Sequence, residues 1–113
     1  MLKINGLLAT EAWIVRSVLH NCWGYPMKKD NSLLLGFDAG LCDKLRDKLF
    51  TNEIGGYSPS PSDKYIILKS FQVFLSEIDD YETVPLTDHT KPEVQTLYEK
   101  LKGLYHDAAQ SVG

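Results

Sequence analysis

The chain has 113 residues, 43% of them hydrophobic and 24% charged, with a formal net charge of -3. That length and balance fit one globular domain over residues 1–113 and exclude a disordered chain, because folding would bury about two-thirds of the unfolded surface. Fifteen acidic side chains against twelve Lys and Arg argue against a nucleic-acid binder, which draws its affinity from clustered cations releasing counterions. The apolar run Leu7-Leu8-Ala9 is cut short by Glu11, too early for a signal peptide. No apolar run approaches the ~20 residues of a membrane span. Cys22 and Cys42 are expected as buried free thiols rather than a disulfide, and the expected setting is the cytoplasm.

Four helices are expected, in chain order. The first starts from a Thr10 cap and runs through Ile14, Val18, Leu19 and Cys22, with Trp13 close to the same stripe. Leu33-Leu34-Leu35 is too short to assign and is open to either a buried strand or part of a helix. From Asp38 a second helix has Leu41, Cys42, Leu45 and Leu49 inside. Its outer face pairs Asp43 with Arg46 and Lys44 with Asp47 three residues apart.

Ser60-Pro61-Ser62-Asp63 places a Ser cap, a Pro at the first helical position and an acid three residues after the cap. Ile67, Phe71, Phe74, Leu75 and Ile78 follow on one side, with Lys64, Lys69, Ser70, Gln72, Ser76 and Glu77 opposite. The aromatic and β-branched content of 65–75 would also suit strands, but the cap and the lack of a turn signal favour a helix. The last helix opens with a capping box, Thr90 and Glu93, around Pro92. It carries Val94, Leu97, Tyr98, Leu101, Leu104, Tyr105 and Ala108 on one face.

Residues 23–31, 51–60 and 81–89 are expected as loops, because Gly and Pro punctuate them and no period persists. The fold expected is mainly α, a small antiparallel bundle of about four helices, with a small α+β domain carrying a short strand pair as the alternative.

The segment Leu34-Leu35-Gly36-Phe37-Asp38-Ala39, followed by Leu45-Arg46-Asp47-Lys48-Leu49, resembles the start of the second helix of acyl and peptidyl carrier proteins. That resemblance implies a carrier-like four-helix fold. The serine bearing the phosphopantetheine arm in those proteins corresponds to Ala39 and the following leucine to Gly40, so the arm would have no attachment point. The long helix from Pro61 has no counterpart in that family.

Catalytic and metal constellations are missing from the pattern. There is no Gly-x-Ser-x-Gly elbow, Walker loop or Cys-x-x-Cys spacing. His20 and Cys22, two apart on a helix, point in different directions. No catalytic residue, metal ligand or cofactor is assigned.

The surface feature that stands out is acidic: Glu77, Asp79, Asp80 and Glu82 surround Ile78 and Tyr81. Read as the C-terminal end of a helix, these charges oppose its macrodipole, and a cluster that breaks a local rule is a candidate for function. The bland reading is a solvated face. The sharper one is a surface for a basic protein partner, with residues 77, 79, 80, 81 and 82 as the binding site. Trp23, Tyr25 and Tyr57, in predicted loops, are either folded back or exposed for a partner. The function expected is a non-enzymatic protein-binding module, such as an inhibitor, immunity-type protein or adaptor. The alternative is a bundle that holds a small ligand or acyl chain between its helices.

Overall fold

The computed structural model describes residues 4–22, 32–51 and 57–112. They form seven helices, α1 (Ala9–Asn21), α2 (Ser32–Leu35), α3 (Gly40–Thr51), α4 (Pro61–Glu77), α5 (Asp80–Thr87), α6 (Lys91–Leu104) and α7 (His106–Val112). The chain is mainly helical, as its apolar periodicity requires. Among the described residues the only strand-like feature is an isolated parallel bridge between Ile4 and Tyr57, in place of the strand pair weighed as the alternative. The expected loops at 23–31 and 52–56, with Trp23 and Tyr25, lie outside the described residues.

Helix α4 is the hub, packing against α1, α2, α3, α6 and α7. It starts where the sequence places it: Ser60 Oγ accepts the Asp63 N–H at 3.2 Å and Pro61 occupies the first turn. Ile67, Leu68, Ser70, Phe71, Val73 and Phe74 are all buried, spread around more than half of the helix. That is the pattern of a helix enclosed by neighbours rather than lying on a surface. Ser70, expected on the outer side, is fully buried because α1 and α3 close over it. Its hydroxyl donates to the Ile66 carbonyl at 2.6 Å, which makes the burial tolerable.

The other expected stripes hold with local corrections. In α1, Ile14, Val18, Leu19 and Cys22 are buried, but Trp13 is 45% exposed beneath the Arg16 guanidinium, 5.0 Å from the ring centroid. The helix begins at Ala9, capped by Leu8 rather than Thr10, because the Glu11 carboxylate takes the Leu8 N–H at 2.8 Å and fixes the first turn two residues early. In α3, Cys42, Leu45 and Leu49 are buried while Leu41 is partly exposed. The expected Asp43–Arg46 pair forms at 2.7 Å, and Asp47 pairs with Arg46. The triplet at 33–35 is a single helical turn with only Leu35 buried.

Two larger differences lie in the C-terminal half. The predicted loop from Tyr81 is helix α5, despite Pro85. Thr83 Oγ1 donates to the Asp79 carbonyl at 3.0 Å and Thr87 Oγ1 to the Thr83 carbonyl at 2.8 Å, which adds support to a helix weakened by the missing N–H. Asp88 then ends it in the left-handed region, φ 63°, which Asp tolerates better than most residues. The last helix, expected as one piece to Ala108, breaks at Tyr105 (φ -110°, ψ 47°). Tyr105 is buried there, and α7 turns back so that Ala108, Ala109 and Val112 pack against the core. The Thr90–Glu93 capping box at the start of α6 is present as predicted.

Candidate functional site

The acidic segment is organised by one break in the chain. Ile78 is extended (φ -100°, ψ 130°) and buried, which terminates α4 and turns Asp79 into the N-cap of α5. Asp80 and Glu82 therefore occupy the first turn of α5, where the macrodipole favours carboxylates. Only Glu77 remains at a helix C-terminus. The expectation that the cluster opposes a macrodipole is thus corrected: three of its four charges sit where a helix welcomes them. A sequence signal for this existed, since Asp79 followed by Glu82 has the spacing of a helix start. It was masked by Pro85 and by the continuous apolar pattern into Ile78.

Glu77, Asp79, Asp80 and Tyr81 are exposed and Glu82 is half-buried. Asp80 lies 3.7 Å from Lys91 Nζ, which also donates to the Ile78 carbonyl at 2.8 Å and ties the α4–α5 break to the start of α6. Tyr81 is 77% exposed. The charge of Glu82, and then of Asp79, pushes its phenol above the ordinary range. Val84, 45% exposed, and Pro85, also exposed, lie three and four residues on and so share its side of α5. The structure brings the five predicted residues to one end of α4 and the start of α5, and adds this short apolar strip, which a loop assignment could not reveal.

The remaining chemical groups are engaged elsewhere. Cys22 and Cys42 are buried free thiols that meet at Ser70: Cys22 Sγ donates to its carbonyl at 3.4 Å, and Cys42 Sγ lies 3.3 Å from its hydroxyl. Burial, with the charges of Arg46 and Arg16, pushes the His20 imidazole below its ordinary value. His89 pairs with Glu93 and His106 with Gln110. Tyr57 is folded back, its hydroxyl donating to Asp63. Among the described residues no group of three or more His, Cys, Asp and Glu could hold a metal ion, and no helix is long and apolar enough to cross a membrane. Ala39, the position matching the carrier serine, is fully buried. No protein-family model matches the chain, and neither a curated protein nor a solved structure does.

Proposed function

We propose that the protein is a non-enzymatic binding module, of the inhibitor, immunity-type or adaptor kind, that docks a basic protein partner on the outer face of α5. The observation that carries this reading is Tyr81, 77% exposed and set among Glu77, Asp79, Asp80 and Glu82. A large amphipathic ring ringed by charge has the make-up of an interface anchor with a polar rim. Carboxylates of one sign speed encounter with a basic surface and set its orientation. In this reading α1, α3, α4 and α6 act as an antiparallel bundle that presents α5. The two free thiols suit a reducing compartment such as the cytoplasm.

The test is affinity capture from the host lysate with the wild-type chain, Tyr81→Ala, and the double variant Asp79→Asn/Asp80→Asn. A basic protein retained at low salt, released at high salt and lost with either variant supports the reading. Retention that ignores both variants removes it.

A second reading, the small-ligand binder, is favoured by a cleft of about 330 Å³ beside Tyr105.

A further inference from the structure

We propose that Cys22 and Cys42 form a redox switch in the core, which a small disulfide oxidises to one reversible bridge between α1 and α3. The bridge goes beyond the binding reading and does not involve the α5 face.

The observation that carries it is the meeting of the two thiols. Cys22 is the C-cap residue of α1 and Cys42 lies in the first turn of α3, two helices packed directly on each other. The thiols hydrogen-bond to one another, and both reach the same residue of α4. Cys22 Sγ is 3.4 Å from the Ser70 carbonyl and Cys42 Sγ 3.3 Å from the Ser70 hydroxyl. A buried free cysteine by itself is a small apolar side chain. Two sulfurs in hydrogen-bond contact stand a small movement away from a covalent bond. Bridging strands no polar group. The Ser70 hydroxyl keeps its bond to the Ile66 carbonyl at 2.6 Å, and the Ser70 carbonyl stays within the hydrogen-bonded ladder of α4.

Burial decides which oxidised form the fold accepts. Both side chains are fully buried, and a core packed at crystal density has no room for a tripeptide attached to either sulfur. A bridge adds no atoms and removes two hydrogens, so it fits the closed fold. Access comes from the end of α1, because a helix terminus opens more readily than its middle. One thiolate, briefly exposed, attacks a sulfur of the small disulfide RSSR and releases RS⁻. The other cysteine, as thiolate, then attacks that protein sulfur, forms the Cys22–Cys42 bond and releases the second RS⁻. The two thiol protons leave on two molecules of RSH, and two electrons pass from the chain to the oxidant. In a reducing compartment such a bond is transient and registers an oxidising excursion.

The experiment equilibrates the native full chain in glutathione buffers from fully reduced to fully oxidised, then quenches with acid and maps peptides without reduction. Expected is a single chain lighter by two hydrogens, with Cys22 and Cys42 in one linked peptide pair. Its amount should follow the buffer ratio and fall to nothing with dithiothreitol. The oxidised chain should unfold about 5–10 °C above the reduced one, because the bridge closes residues 22–42 into a loop in the unfolded chain. That rise should vanish in Cys22→Ala and in Cys42→Ala; a rise that persists in either does not come from the bridge and overturns the switch. A chain that stays a dithiol at every ratio overturns it too. So does glutathione retained on either cysteine, a bridge between two chains, or a bridge that no glutathione ratio reduces. The peptide map of the unaltered chain decides the matter even where an alanine variant fails to fold.

Discussion

Lys100 Nζ on α6 holds both oxygens of Glu11 on α1, at 2.8 and 3.0 Å, across 89 residues of sequence. The same carboxylate accepts the Leu8 N–H at the start of α1. One side chain thus caps a helix and joins the first long helix to the last. Glu11→Ala should cost about 1–2 kcal/mol of stability, since it removes a helix-start bond and an ion pair. Lys100→Ala should cost less than about 1 kcal/mol, since it removes only the pair. Urea unfolding of both variants checks the order. Burial pushes the Glu11 carboxyl up, but the bonds from Lys100 and Leu8 outweigh it and leave it below the ordinary 4.5. A depressed carboxyl stabilises the fold above its unfolded-state value, and the contribution fades as pH falls through the lower folded value. The gap between wild type and Glu11→Gln should therefore be full at pH 7 and narrow as pH falls below the ordinary 4.5 and through the lower folded value.

The thiol pair gives a prediction about access. Cys22 and Cys42 are both fully buried. Cys22 is pushed well up by its hydrogen bond to Cys42 and by burial, while that same bond holds Cys42 down against burial. Thiolate character without access gives no reactivity. Both thiols should react with an aromatic disulfide reagent only as fast as the fold opens, and promptly in denaturant. Immediate labelling of Cys42 in the native state would contradict the packing.

What the sequence made legible follows from which forces are local. Helix starts at Ser60-Pro61 and Thr90-Pro92-Glu93 are set by the residues themselves, and both were read correctly. The buried stripes of α1, α3, α4 and α6 follow from a 3.6-residue period that solvent enforces. The sequence misled where a helix ends for tertiary reasons. Ile78 continues the apolar period of α4 yet leaves the helix to be buried in extended form, and Tyr105 likewise continues the period of α6 but is buried outside it, in a conformation neither helical nor extended. Ser70 looks like a surface residue, but α4 has neighbours on several sides. At the acidic segment Pro85 hides the start of α5, so carboxylates that begin a helix look in the sequence like ones that oppose a macrodipole.

At the acidic face the measurable consequence is the titration of Tyr81. The charges of Glu82 and Asp79 raise its phenol above the ordinary 10, because phenolate beside carboxylate is repelled. Replacing Glu82 by Gln and Asp79 by Asn should bring that value down toward 10. Difference absorbance of phenolate against pH reads it, with Tyr81→Phe identifying the component that moves. A Tyr81 transition unchanged in the double variant would mean that the carboxylates do not act on the ring.

Two tyrosines give the last prediction, because the same substitution should have opposite signs at them. Tyr57 donates its hydroxyl to the buried Asp63 carboxylate, which also meets Lys48 Nζ at 3.3 Å. Tyr57→Phe leaves a buried charged acceptor short of a donor and should cost about 1–3 kcal/mol. Tyr105 donates to no protein group among the described residues. Tyr105→Phe removes a desolvated hydroxyl with no bond to lose and should gain up to about 1 kcal/mol, an increase of a few degrees in unfolding midpoint for a chain of this size. Calorimetry of the two variants beside wild type decides it. A fall at both positions would mean that the Tyr105 hydroxyl finds a partner in solution.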